Sequence, residues 1–274
     1  LADKDTITSF TMKSDRRNCD LSFSNLCSWR FLYDTQFAVV DNFLVFKFWA
    51  GEQLAYMMPV GTGDLKAVLW ELIEDARKEN QHFCMLGVCS NMRALRSDLS
   101  TLKGKKFQAK RNHINRFRNT YPDYEYTPIT PDRIQECLDL EAEWCKVNNC
   151  DQQEGTGNER RALIYALHNF EALGLTGGIL HVNGKIVAFT FGMPINHETF
   201  GVHVEKADTS IEGAYAMINY EFANRIPEQY TYINREEDLG IEGLRKAKLS
   251  YQPATILEKY MACLKEHPMN MVKW

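Results

Sequence analysis

Residues 177–208 read GGILHVNGKIVAFTFGMPINHETFGVHVEKAD. Two β-prone runs flank Asn183-Gly184, a dipeptide suited to the positive φ angles of a tight hairpin turn, and a third run begins at Thr199. The stretch therefore predicts a strand meander. Downstream, Ala214, Met217, Ile218 and Phe222 share one helical face, Pro227 ends that helix, and YTYINRE (230–236) reads as a strand.

The same order of elements occurs earlier in the chain. FAVVDNFLVFKFWAGEQLAYMMPVG (37–61) alternates apolar and polar residues between turn signals. LKAVLWELIEDARKEN (65–80) then sets Leu65, Val68, Leu69, Leu72, Ile73 and Ala76 on one stripe, and HFCMLGVC (82–89) reads as a buried strand. Two further helices are expected, one from Thr130 as N-cap with Pro131 at the first position, the other over ERRALIYALHNFEALG and ending at Gly174. The repeated order predicts an α/β (α+β) chain of two similar domains, 1–100 and 123–274, joined by a connecting helix at 101–122.

The bulk composition fits folded domains, with 45% hydrophobic and 12% aromatic residues in 274. No apolar run approaches the roughly 18 residues of a membrane span. The opening LADKDTITSF lacks the charged and apolar regions of a signal peptide, and eight cysteines are scattered rather than clustered. These features lead to the expectation of reduced thiols and a cytoplasmic location. Cys84 and Cys89, like Cys145 and Cys150, stand at the loose end of metal-ligand spacing, but without any C-x-x-C ordinary buried thiols are expected rather than zinc. The phosphate-loop, Rossmann, H-E-x-x-H and G-x-S-x-G signatures are all missing, which argues against nucleotide hydrolysis, dinucleotide redox chemistry and α/β-hydrolase chemistry.

Three stretches can carry chemistry. KGKKFQAKRNHINRFRNTYP (103–122) holds seven Lys or Arg and no acidic residue, although the whole chain has a formal net charge of -4. As a helix it sets Lys103, Lys106, Lys110 and His113 at helical spacing, with Phe107, Ile114 and Phe117 on an apolar side. It reads either as a connector with solvated charges or as a phosphate-capturing surface. In NREED (234–238) a continued strand would send Asn234, Glu236 and Asp238 to one side and Arg235 and Glu237 to the other, with Arg245, Lys246 and Lys248 near enough to balance the acids. That cluster is either a salt-bridge network or the polar wall of a site at a strand end. His203 and Glu205 are expected on one strand face, as a proton-transfer pair or as an exposed sheet face.

Together GKKFQAKRNHINRF, HVEKAD and NREEDLGIEGLRKAKLSYQP resemble a bacterial domain of unknown function related to the C-terminal part of phosphatidylglycerol lysyltransferase. That group lies in the acyl-CoA N-acyltransferase, GNAT-like superfamily, and the resemblance implies two GNAT-like domains in tandem. It implies an acyltransferase that moves an aminoacyl group from aminoacyl-tRNA, or an acyl group from acyl-CoA, to an amine acceptor, with no permanently bound cofactor. The superfamily's CoA loop falls on KADTSIEGAYAMIN, where Gly213 and Ala214 remain but Ser210 and Tyr215 depart from the pattern. The lysyltransferases also carry a membrane domain without a counterpart in this sequence, so a lipid acceptor is not implied.

Carried over residue by residue, the resemblance points to Lys110, Arg111 and Asn112, to His203 and Glu205, and to residues 234–238 with Arg245, Lys248 and Tyr251. The roles are assigned from chemistry: catalysis to Glu205, His203, Asp238 and Lys248, donor or phosphate binding to Lys106, Lys110, Arg111, Asn112, Gly213, Ala214 and Arg245, and acceptor binding to Asn234, Arg235, Glu236, Glu237 and Tyr251. Glu205 or Asp238 is expected to take the amine proton, and Arg245 or Lys248 to hold the oxyanion or a donor phosphate. The competing reading is a noncatalytic protein that binds tRNA or another polyanion.

Overall fold

The computed structural model describes residues 1–86, 92–148, 150, 154–238, 241–257 and 260–264. Helices α1 (Lys4–Thr11), α2 (Phe23–Ser28) and α3 (Arg30–Tyr33) come first, followed by strands β1 (Gln36–Val40), β2 (Phe43–Ala50), β3 (Gln53–Met57) and β4 (Val60–Gly61). Helix α4 (Leu65–Lys78) leads to β5 (Cys84–Leu86) and β6 (Met92–Leu95), then α5 (Arg96–Thr101), α6 (Gln108–Thr120) and β7 (Glu125–Pro128). Helices α7 (Ile134–Asn148), α8 (Glu154–His168) and α9 (Phe170–Leu173) precede the meander β8 (Thr176–Val182), β9 (Lys185–Pro194) and β10 (Thr199–Ala207). Last come α10 (Ala214–Arg225), β11 (Tyr232–Asn234), α11 (Glu242–Leu249), β12 (Thr255–Ile256) and β13 (Met261–Cys263).

The chain divides into two compact units, Leu1–Trp29 with Ser90–Leu257, and Arg30–Cys89 with Glu258–Trp274. The smaller unit holds a six-stranded sheet in the order β1-β2-β3-β5-β13, with β4 on β2. Asp41 and Asn42, at φ 45 and 63, close the β1–β2 hairpin as the residue types that tolerate positive φ. Helix α4 crosses between the parallel strands β3 and β5, capped by the Asp64 carboxylate, which accepts the Lys66 and Ala67 N–H groups at 3.0 and 3.2 Å. Its stripe of Val68, Leu72, Ile73 and Ala76 packs on Phe43, Val45, Leu54 and Tyr56.

The larger unit holds a seven-stranded sheet in the order β12-β6-β11-β10-β9-β8-β7. Among the described residues, only β10 and β11 run parallel within it, with α10 as their crossover. Asn183 and Gly184, at φ 52 and 74, form the expected hairpin turn, and Gly174 ends α9 in the left-handed conformation.

This division differs from breaks at 100 and 122. The first 29 residues bury Ile7, Phe23 and Leu26 within the larger unit. β6 adds to the larger sheet by pairing with β11, whereas the late strand β13 returns to β5 of the smaller one. The basic helix α6 is no connector: Phe107, Ile114 and Phe117 enter one core cluster with Ala214, Met217 and Ile218. Apolar periodicity finds such a helix but cannot say which sheet covers it.

Cys145 and Cys150 form a disulfide, which corrects the expectation of reduced thiols at these two positions. Cys84, Cys137 and Cys263 are thiols, and Cys89 lies outside the described residues. No helix among the described residues is long and apolar enough to cross a membrane.

The start of α10 rests on Gly213, at φ +87, where an added Cβ would come within 2.8 Å of the His113 carbonyl oxygen on α6. Gly213→Ala therefore combines backbone strain with a clash and is expected to lose about 1–3 kcal/mol in urea unfolding. Unchanged stability would remove the glycine from this packing role.

Candidate functional site

β10 has nine residues, but β11 pairs with it only from Thr199 to Gly201, against Tyr232 to Asn234. Beyond that point the parallel strands part. Asn234, fully buried, ends β11: its side-chain oxygen accepts the Glu236 N–H at 2.9 Å, and its amide donates to the Arg17 carbonyl at 2.9 Å. The turn holds Glu236 at φ 59, an uncommon conformation for a side chain of its size. The strand expected over 230–236 thus stops two residues early and does not continue to Asp238, because the asparagine side chain offers the backbone a turn in place of a ladder.

A bulge on β10 falls at His203, between the pairs formed by Val202 and Val204 with β9. Before it, Phe200 and Val202 pack with Phe222 and Ala223 of α10. After it, Glu205 reaches Asn219 of α10 and Ala207 joins the cluster with Ala214 and Met217. His203 stays on the side of Gly201, whose added Cβ would meet the His203 ring at 3.0 Å. The bulge therefore turns His203 and Glu205 to opposite faces, contrary to the simple alternation expected of this strand.

On the His203 side, Nδ1 lies 2.5 Å from Glu236 Oε1, and Asn25 of α2 donates to that same oxygen at 3.0 Å. Burial pushes the Glu236 carboxyl up, but the hydrogen bond and charge of His203, with Cys19 and Asn25, hold it below its ordinary value. A carboxylate at Nδ1 selects the tautomer with the proton there. Nε2 is buried and has no hydrogen-bond partner among the described residues.

On the α10 side, Glu205 accepts from Arg235 at 2.9 Å and from Asn219 at 3.0 Å. The Arg235 guanidinium lies 4.3 Å from the centre of the Tyr251 ring, and Lys110 of α6 lies 3.8 Å from the same centre. Lys248 of α11 donates to the carbonyls of Arg235 and Glu237. Arg235, Lys110 and Lys248 thus gather around Glu205 and Glu236, a locally cationic mixture, and Arg235 keeps a buried Nε and Nη1 without partners among the described residues. Burial, followed by repulsion from Arg235, lowers both Lys110 and Lys248 to about 8.

The fold thus brings together His203, Glu205, Asn234, Arg235, Glu236, Lys248, Tyr251 and Lys110 from the expected set. It does not bring in the rest of the basic helix. Lys106 pairs with Asp98 at 2.7 Å, Arg111 donates to the carbonyls of Leu102 and Gly104, and Asn112 is exposed. Gly213 is committed to α6 and Ala214 to the core. Arg245 is engaged by both oxygens of Asp238, at 2.6 and 3.2 Å. Glu237 contributes its backbone carbonyl to Lys248. Asn25, Cys19 and Asn219 were not anticipated, since nothing in their local sequence distinguishes them from other small polar residues.

Two mixed sheets, each with a helix crossing between a parallel pair, make this a mixed α/β protein. The family model described as phosphatidylglycerol lysyltransferase, C-terminal, matches residues 11–98 and 91–263, and the chain belongs to that family. A crystal structure of a conserved protein of unknown function from Bacteroides thetaiotaomicron VPI-5482 is 85% identical, with a TM-score of 0.94 over 96% of this chain and 97% of that one. The structure of L-PGS from Bacillus licheniformis has the same fold at 18% identity, with a TM-score of 0.64 over 97% of this chain and 93% of that one. An uncharacterized protein of Mycoplasmoides gallisepticum is 26% identical over 169 residues, 60% of this chain and 52% of that one. The chain therefore spans about half the length of this curated relative.

The two lowered lysines give a pH signature. Each is held at about 8 in the folded chain against an ordinary 10.5, so between these values the unfolded chain binds more protons than the folded one. Their contribution to stability therefore rises with pH across that window. In urea titrations at pH 8 and pH 10, a Lys110→Met, Lys248→Met variant is expected to lose that rise relative to the parent; an equal pH response in both would show the lysines to be ordinary.

Proposed function

We propose that this protein is an acyl-group transferase that acts where β10 and β11 part, moving an aminoacyl or acyl group from its carrier to an amine. The observation that carries the reading is the His203–Glu236 pair, whose Nε2 has no partner among the described residues, beside the same strand end as a guanidinium with two nitrogens likewise without partners among them. Glu236 accepts the Nδ1–H, and Nε2 accepts the proton of the attacking amine. The amine adds to the carbonyl carbon to give a tetrahedral intermediate, while Arg235, on the α10 side of the gap, holds a phosphate or carboxylate of the donor. When the intermediate collapses, the carbon–oxygen or carbon–sulfur bond to the carrier breaks and the departing group takes the proton from Nε2. No covalent enzyme intermediate is required.

The same geometry changes the role given to Glu205. Both its oxygens are occupied, by Arg235 and Asn219, so it orients the guanidinium and His203 takes the part of base. Lys110 and Lys248 add positive charge for a donor phosphate or carboxylate.

Aminoacyl-tRNA is the better supported donor. The CoA loop departs from its pattern at Ser210 and Tyr215, and Gly213 is engaged in packing on α6. The family's name, phosphatidylglycerol lysyltransferase, describes transfer of an amino acid, to a hydroxyl-bearing acceptor; the base proposed here serves an amine or a hydroxyl alike. The noncatalytic polyanion-binder reading is weakened because Lys106, Arg116 and Arg118 of the basic segment are paired with Asp98, Glu212 and Glu221.

Transfer from a pool of charged tRNA and from acetyl-CoA, to a panel of amines, tests the proposal. His203→Asn is expected to lower kcat by about 10²–10⁴-fold while donor affinity is kept. Glu205→Gln is expected to weaken donor binding more than turnover, because Arg235 loses its anchor. Donor binding without turnover of either carrier would favour the binder.

A further inference from the structure

Cys84 on β5 and Cys263 on β13 are directly opposed in the antiparallel register of the smaller unit's sheet. Their sulfurs are 3.8 Å apart, Cys84 is buried and Cys263 is exposed. Opposed residues of an antiparallel pair have Cα atoms about 4.5 or 5.5 Å apart, inside the range that a disulfide spans, so a side-chain rotation brings the sulfurs to bonding distance. Burial, followed by the neighbouring Cys263, pushes the Cys84 thiol up to about 12, which leaves exposed Cys263 as the first to react.

We propose that Cys84 and Cys263 are a redox modification site, a thiol pair that closes to a cross-strand disulfide and fastens β13 to its sheet. The strand has only three residues, all exposed, and its backbone pairing to β5 is its described attachment to the sheet. Such a short edge strand frays readily. A bond at its last residue turns that pairing into a covalent link across a sequence separation of 179. The chain between the two cysteines, from residue 90 to 257, is the greater part of the other unit, so the bond also joins the two segments from which the smaller unit is built.

The oxidant is a small-molecule disulfide of the glutathione type. The Cys263 thiolate attacks one sulfur of the oxidant and releases one thiolate. The Cys84 thiolate then attacks Cys263 Sγ and releases the second. Two protein thiols become one disulfide, one oxidant disulfide becomes two thiols, and the two protons pass to solvent or to the released thiolates.

The test uses the whole chain incubated with oxidised glutathione, alkylated, and digested without reductant for peptide mass spectrometry. A linked Cys84–Cys263 peptide, lighter by two hydrogens than its reduced parts, is expected, with loss of alkylation at both residues and slower proteolysis after residue 263. Exposed Cys263→Ser should abolish the link and the slower proteolysis, yet retain a Cys145–Cys150 peptide that reports a folded chain. Alkylation of both Cys84 and Cys263 while Cys145–Cys150 stays linked would overturn the proposal, as would Cys263 halted as a mixed disulfide with glutathione.

Discussion

The side chain of Asn234 is the constraint on which the site depends. It satisfies two backbone groups at the point where β11 stops, the Arg17 carbonyl and the Glu236 N–H, through part-buried hydrogen bonds. An unsatisfied group of this kind costs roughly 1–3 kcal/mol, so the amide fixes the turn more firmly than backbone preference alone. With the strand ended there, β10 continues without its parallel neighbour and the next residues turn into the gap. Arg235 goes toward α10 and Glu236 toward the N-terminal segment, and each meets one of the polar residues of β10.

The charges in that gap are unequal, and the imbalance falls on particular groups. An arginine keeps its proton at any ordinary pH, so Arg235 forces the neighbouring lysines to adjust. Lys110 and Lys248 are lowered by their burial and by that repulsion, while Glu205, joined by Glu236 for Lys248, provides only partial compensation. Tyr251, buried with its phenol pushed up, remains neutral and offers its ring to both Lys110 and Arg235. An anion entering the gap would relieve the repulsion.

Much of the fold is legible from short-range pattern. The α4 stripe, the Asn183-Gly184 turn, the Gly174 stop and the meander runs each depend on chemistry contained within a few residues. Most of the residues now found in the gap were also singled out, because polar residues concentrated at a strand end stand apart from the surrounding apolar pattern. Their arrangement was not legible. An alternating strand gives no sign of a bulge at His203, and the early stop at Asn234 depends on Arg17, which is distant in sequence. The basic helix misled for a related reason: Asp98, Glu212 and Glu221, which neutralise part of it, come from outside the segment.

The sequence by itself determined the two rounds of strand meander, helix and strand, and the residue types from which a transfer site can be built, since periodicity and turn chemistry are local properties. Tertiary structure alone decided which sheet each segment joins, which cations of the basic segment are paired, and that His203 faces Glu236 while Glu205 faces Arg235. Those outcomes depend on contacts between residues far apart in the chain and on a single extra residue in one strand, and neither leaves a mark in the local pattern.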